Sequence, residues 1–474
     1  MGNSEPSVRT DIWNIKPDKD QSIWLRLTVA EYRLFVKPLV FIAYWNWDTL
    51  IQLTAKGKVN QLEKLFNRTK QNPETKYAWY FEKAVKNHSS FLKFPSYLRR
   101  AAIQDALGIV SSFATRWEKW KNHSRRRKTD KAPRLTAMCN TYPALYRGNQ
   151  IQYSDDYSTF NTKVWNGSDW VWSGDIAITK HGKGRFTLPN YEVESPSLIA
   201  NSKGIRLSMP HKFKRPKLAE SDYVIAIDLG INNAATVAAV GKDGTVKDRG
   251  FINPARDIDR RDKRRMMIAA RAKKTRKITG QDLPKGFCNG LYRKSSNINE
   301  AIAQYVSTQI VRFAQKNQTQ SIVFEDLKNW KAKAGKRKSL QKQRFHNWCK
   351  DRIVELTKQK AAELGIKVVT VNAKNTSKYA FDGSGRLKRD NQNYALATFS
   401  TGKKYDADLS ASYNIGARYW YKVLTKSKHD RVWEISESPI AVESQKALAA
   451  KLGRSSQHTL RLPVTLSSLW KLAS

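Results

Sequence analysis

The chain has 474 residues, 40% of them hydrophobic with 15 Trp, 19 Tyr and 17 Phe, which excludes wholesale disorder and leads us to expect two or three domains. Lys and Arg number 86 against 41 acidic residues, for a net charge of +45. A charge of that size opposes compaction and calls for a polyanion; nucleic acid leads, because the basic residues are spread among aromatics, while no run of about 18 apolar residues favours a membrane.

The start, Met1 to Trp13, is polar and has no secretory pattern. Cys139, Cys288 and Cys349 are far apart in sequence, which fits a reducing cytosol. Ile23 to Val29 reads as a strand of alternating apolar positions. Residues 41–122 read as helices, among them Leu50 to Phe66 and Tyr97 to Trp117. This stretch carries Tyr44, Trp45, Trp47, Tyr77, Trp79, Tyr80 and Phe81, which read as core first and as base-stacking surface second. A basic connector follows over Lys119 to Arg134, containing Arg125, Arg126 and Arg127. Thr162–Trp165, Trp170–Trp172, Ile176–Ile178 and Ile205–Met209 are short runs punctuated by Asn-Gly, Ser-Gly and Gly-Lys-Gly, a texture that predicts a small β-barrel.

The texture changes at Asp222. Tyr223 to Leu229 reads as a buried strand, and Thr236–Val240 and Thr245–Lys247 as a hairpin about Lys-Asp-Gly. Helices are predicted over 256–277, 297–316 and 340–364, with strands at Ser321–Phe324 and Lys367–Val371. This alternation predicts an α/β domain with a mixed sheet. The first of these helices carries eleven Lys or Arg against three Asp between Arg256 and Lys277. Arg256, Arg260, Arg261, Arg264 and Arg265 are candidate phosphate contacts on it. Lys333, Lys336 and Arg337 are further candidates in the basic segment Lys331 to Arg344.

Three acids stand out. Asp228 ends the strand Val224-Ile225-Ala226-Ile227, Glu325 ends Ile322-Val323-Phe324, and Asp408 opens a helix within Asp406-Ala407-Asp408-Leu409. A carboxylate at the end of a buried strand is costly unless it is paired or bound to metal. Three of them without His or Cys favour Mg²⁺ or Mn²⁺, and two such ions about 4 Å apart suit phosphodiester hydrolysis.

The segments IAIDLGINNAATVAAV, IVFEDLKNW and DADLSASYNIGA resemble the three RuvC motifs of the TnpB family and the miniature type V CRISPR effectors, and the stretch between the last two is similar as well. The resemblance covers about 222–420 and over 1–220 rests on layout. It implies a multidomain α+β chain, with an RNase H-like (RuvC) domain at 222–474. A small β-barrel wedge domain at 1–40 and 136–221 would be interrupted by a helical recognition lobe at 41–135. It implies Asp228, Glu325 and Asp408 as catalytic metal ligands, with Asp326 and Asp406 as neighbours. It also implies a guide RNA and target DNA as partners, a prokaryotic cytoplasmic location, and a lid at 331–344.

One departure is plain. Relatives commonly carry a zinc ribbon where this chain has the insert 373–405, which contains no cysteine, so no zinc is expected there. A metal-free hairpin held by Tyr379, Phe381, Tyr394 and Phe399 is expected instead. His346 and Trp348, just after the lid, read as packing or backbone contacts. The leading expectation is an RNA-guided DNA endonuclease. The alternatives are a guided DNA-binding repressor with little or no cleavage, and a RuvC-like transposon-associated nuclease acting without RNA.

Overall fold

The computed structural model describes residues 7–85, 88–91, 93–122, 131–136, 140–146, 148–179, 188–231, 233–327, 348–390, 392–425, 433–435 and 461–473. The chain divides into two compact units, Met1–Lys214 and Arg215–Ser474. Arg125, Arg126, Arg127, Lys333, Lys336, Arg337 and His346 lie outside the described residues.

The first unit opens with β1 (Ser7–Lys16) and then the helices α1 (Lys19–Trp45), α2 (Trp47–Leu50), α3 (Ala55–Phe66), α4 (Ala78–Val85) and α5 (Ser96–Lys121). Among the described residues seven strands follow: β2 (Ile151–Tyr153), β3 (Thr159–Trp165), β4 (Trp170–Trp172), β5 (Ile176–Ile178), β6 (Tyr191–Val193), β7 (Ser197–Asn201) and β8 (Gly204–Phe213). The main path of the eight-stranded sheet runs β2-β3-β5-β1-β8-β6, so β1 lies between strands that follow it by more than 150 residues. Among the described residues β2 and β6, at the two ends of that path, are not paired with each other. Helices and sheet share one core, in which Trp13, Leu25, Leu39, Leu98, Phe160 and Leu207 are fully buried.

The strand expected at Ile23–Val29 is helix. Asp18 caps α1 by accepting from the Gln21 amide while Gln21 returns a bond to the Asp18 amide. Leu25, Thr28, Val29, Tyr32, Phe35 and Val36 then bury one face at three- and four-residue spacing. The apolar alternation over seven residues was the margin of that stripe. The Thr28 hydroxyl accepts from the Trp165 amide at 2.8 Å, fastening α1 to β3.

In the second unit β9 (Tyr223–Asp228), β10 (Ala235–Gly241) and β11 (Val246–Ile252) form a meander. There follow α6 (Ala255–Thr279), α7 (Asn289–Lys316), β12 (Ser321–Asp326), α8 (Lys350–Glu363) and β13 (Lys367–Asn372). The sheet order is β11-β10-β9-β12-β13, with β9, β12 and β13 parallel. A three-stranded sheet comes next, from β14 (Lys388–Arg389), β15 (Leu396–Thr398) and β16 (Lys404–Asp406). The remaining elements are α9 (Ala407–Leu424), a strand pair β17 (Trp433–Ile435) and β18 (Arg461–Pro463), and α10 (Leu466–Ala473).

Two cores flank the five-stranded sheet. Ile225, Ile227, Ile322 and Phe324 pack with α6, α7 and α8, joined by Trp348 from the segment before α8. Val224, Ala226 and Val323 pack with α9 and α10 on the other side. Side chains alternate across a strand, so the even positions of β9 and the odd positions of β12 face α9. Gly416 lets α9 lie on β10: a Cβ there would stand 2.7 Å from Val240. Among the described residues no helix is long and apolar enough to cross a membrane.

Candidate active site

That alternation runs through the C-terminal ends of β9 and β12. Asp228 follows Ile227 and Glu325 follows Phe324, and Ile227 and Phe324 are partners in the parallel ladder. Asp228, the last residue of β9, and Glu325, next to last in β12, therefore stand at one level of neighbouring strands, on the α9 side. Asp408 lies in the first turn of α9. Asp406 stands just ahead of it as the N-cap, accepting from the amides of Asp408 at 2.9 Å and Leu409 at 2.8 Å. Its oxygen is spent on the helix end; that of Asp408 is not. Asp326 is exposed at the end of β12.

The electrostatics tie the three acids together. Burial, then the charges of Glu325 and Asp408, hold the Asp228 carboxyl well above its ordinary range, with Arg389 pulling the other way. Burial also raises Glu325, offset by a hydrogen bond from Thr376 and by the charge of Arg418. Asp408 is raised by burial and by Asp406, and lowered by Arg389. Arg389 Nη1 stands 3.9 Å from Asp408 Oδ1, its guanidinium braced 4.5 Å from the Tyr394 ring centre. Among the described residues no three His, Cys, Asp or Glu side chains are arranged, as they stand, to hold one ion. The donor chemistry still suits a hard divalent cation. The groups are all carboxylates, partly desolvated and mutually repelling, and a shared cation relieves that repulsion.

Sequence reasoning passed over Thr376, Arg389, Asn414 and Arg418. Thr376 is buried, donates its hydroxyl to Glu325, and lies near the start of the insert. Asn414 of α9 donates to the carbonyls of Thr376 at 3.1 Å and Tyr379 at 2.9 Å. Arg418, 5% exposed, donates to the Asn372 carbonyl at the end of β13. The Asn-Ile pattern of the third motif was the available signal for Asn414; Arg389 had none beyond its charge.

The insert holds itself with aromatics. Phe381 packs edge-on against Phe399 at 5.5 Å, Tyr405 at 5.1 Å and Tyr413 at 5.3 Å. Tyr394 is not part of that cluster: it is 68% exposed and braces Arg389 instead, because the β14–β15 turn carries it outward. Tyr379 pairs in an isolated bridge with Arg386 and carries its guanidinium at 5.9 Å.

On α6, Arg256 and Arg260 are exposed and Arg264 and Arg265 half-buried. Arg261 is only 3% exposed, bonded to Asp262 and Asn299, so its charge is used inside the unit and not on a phosphate. In the first unit Trp47, Tyr77 and Tyr80 pack on the core, whereas Tyr44, Trp45 and Trp79 are 46%, 50% and 59% exposed. Trp45 lies stacked on Tyr77 at 5.7 Å.

Residues 351–415, which span α8, β13, the insert and the start of α9, match the family model described as Cas12f1-like, TNB domain. Residues 9–166 match the Aq_aa04 family. No curated protein matches the sequence. Among solved structures, a cryo-EM structure of a Cas12f1–sgRNA–target DNA complex aligns at TM-score 0.49 and 16% identity, covering 83% of each chain. A crystal structure of an AacC2c1–sgRNA binary complex aligns at 0.44 and 11% identity, over 84% of this chain and 71% of that one. The mini-RNA-guided endonuclease CRISPR-Cas_phi3 aligns at 0.43 and 12% identity, over 86% and 92%.

Proposed function

We propose that this chain, which carries the Cas12f1-like TNB domain of the miniature type V effectors, is an RNA-guided DNA endonuclease with a RuvC-type site at Asp228, Glu325 and Asp408. The observation that carries the reading is the strand register. It brings two strand-end carboxylates onto the face where α9 presents a third. The order β11-β10-β9-β12-β13, with β10 antiparallel to its neighbours, supports an RNase H-like sheet. The +45 charge supports nucleic acid as the polyanion.

The three carboxylates would hold Mg²⁺ or Mn²⁺, which supplies charge stabilisation at the phosphodiester and a water of lowered pKa. The protein's own groups do the remaining work. Thr376 orients Glu325 by donating to it, and Asp406 fixes the first turn of α9 and so the base of Asp408. Arg389 offsets the negative charge of the cluster from the insert side. Arg256, Arg260, Arg264 and Arg265 are proposed phosphate contacts on α6.

A guided DNA-binding protein that cleaves weakly is the second reading. It draws on the Arg389–Asp408 approach and on the absence, among the described residues, of a trio standing in ligand geometry. Co-purified RNA is sequenced, and a plasmid matched to it is incubated with protein, RNA and Mg²⁺. Cleavage that disappears in Asp228→Ala while binding survives supports the endonuclease. Full binding without cleavage selects the second reading, and cleavage at full rate by RNA-free protein overturns both.

A further inference from the structure

Between α6 and α7 lies a groove of about 640 Å³ lined by Arg265, Asn289, Gly290, Tyr292, Arg293 and Ser296. Its volume falls within the range of small-ligand sites. Two of its six residues are cationic and none is acidic. Arg265 is held in place: its Nε donates to the hydroxyl of Ser295, a fully buried residue, at 2.9 Å, and its guanidinium lies 5.1 Å from the Tyr292 ring centre. Tyr292 is nevertheless 42% exposed. An aromatic ring left open at the surface and braced by a fixed guanidinium is a ready stacking platform. Little side-chain entropy remains to be lost there when a ligand binds.

We propose that this groove takes one unpaired nucleotide of the bound nucleic acid, its base stacked on Tyr292 and its phosphate between Arg265 and Arg293. The chemistry selects that ligand. A planar π-face beside two guanidiniums suits a flat base joined to a phosphate, and guanidinium grips phosphate oxygens in pairs. A duplex offers its phosphates but keeps its bases stacked inside, so it uses the cations and leaves the ring empty. The assignment rests on the nucleic-acid reading above and adds to it a place where the strand is single. RNA and DNA share this chemistry, so the source strand is decided by the test.

The full-length protein is mixed at about 150 mM salt with 5′-phosphorylated oligo(rU) or oligo(dT) carrying one 5-iodouracil, and with a blunt duplex of equal length. Cross-linked peptides are mapped after irradiation. The single strands are expected to cross-link at Tyr292 and the duplex is not; whichever of rU and dT does so identifies the strand. Tyr292→Leu is expected to weaken single-strand binding roughly ten-fold. Because the chain is so basic, Lys294→Gln serves as the charge control: Lys294 is exposed and lies outside the groove lining. Arg265→Gln and Arg293→Gln are expected to weaken single-strand binding several-fold more than Lys294→Gln, with melting temperatures unchanged for the Tyr292 and Arg293 variants. Equal losses for Arg293→Gln and Lys294→Gln, wild-type binding by Tyr292→Leu, or equal cross-linking by the duplex would overturn the assignment. A wild-type chain that binds neither strand nor duplex refutes the nucleic-acid reading itself, and the groove with it. Binding that bypasses Tyr292 refutes the groove alone.

Discussion

Asp228→Asn should make the metal-free protein more stable, the opposite of what most substitutions do. The Asp228 carboxyl sits at the end of a buried strand, and its proton affinity is raised first by burial and then by Glu325 and Asp408. Arg389 only partly offsets this. Removing a poorly compensated buried charge while keeping the shape gains about 2 kcal/mol, within the range seen when buried ionic groups are replaced. For a unit the size of Arg215–Ser474 that is a rise of roughly 4–8 °C in its melting transition. The sign with pH follows from the raised pKa. The unfolded chain releases this proton near the ordinary 3.8, whereas the folded chain holds it to higher pH. Wild-type stability therefore falls as pH rises from about 4 through the raised value. Asn carries no such proton, so the advantage of the variant is small at pH 4 and larger at pH 8. Mg²⁺ should reverse the order, since free ion at a hundredfold its Kd adds about 2.7 kcal/mol to a protein that binds it. Calorimetry of both proteins at pH 4, 6 and 8, with and without Mg²⁺, is the assay. A variant that melts lower than wild type at pH 8 in EDTA, or one that Mg²⁺ stabilises as much as wild type, would refute the reasoning.

Three further outcomes follow from the same geometry. Thr376→Val removes the hydrogen bond that lowers Glu325, so the acid limb of the cleavage–pH profile should move to higher pH. An unmoved limb argues that Glu325 is held otherwise. Asp406→Ala should cost about 1 kcal/mol of stability through the lost cap, while Asp406→Asn keeps both the cap and measurable cleavage and Asp408→Asn abolishes cleavage. Equal loss in the two Asn variants would make Asp406 a ligand. Phe399, 3% exposed, anchors the insert, so Phe399→Ala should destabilise it by about 3 kcal/mol in hydrogen exchange over 388–406, and EDTA should not.

The second unit was the more legible. Its buried strands are runs of Val, Ile and Ala whose period and length leave few alternatives, and the acids that end them mark where the chain leaves the core. The first unit was harder for a physical reason. Ile23–Val29 has strand-like composition, and only the Asp18–Gln21 capping pair together with the longer stripe to Val36 decides for helix. Sequence spacing also could not tell which arginines of α6 point inward. Arg261 is buried because Asp262 and Asn299 meet it, and Asn299 is 38 residues away. Arg389 was invisible for the same reason, since a two-residue strand in the insert is what carries it to Asp408.

The insert's lack of cysteines reads at first as an argument for a silent site, given the zinc ribbon that the resemblance implied there. The hydrogen bonds point the other way. Asn414 holds the entry to the insert through the Thr376 and Tyr379 carbonyls, and its own side-chain oxygen accepts from the Leu466 amide. The Ser410 hydroxyl accepts from the Phe381 amide at 3.2 Å. Both residues belong to the helix that presents Asp408, and Thr376 reaches Glu325 directly. The insert is thus tied to the acids through α9, at points no zinc ion would occupy, while its interior is closed by Phe381, Phe399, Tyr405 and Tyr413. The aromatic core holds the insert together, and separate hydrogen bonds hold it to the site. The missing cysteines therefore do not weigh against cleavage. What weighs against it is local to the acids, at Arg389 and Asp408, and it is there that the two readings of this chain part.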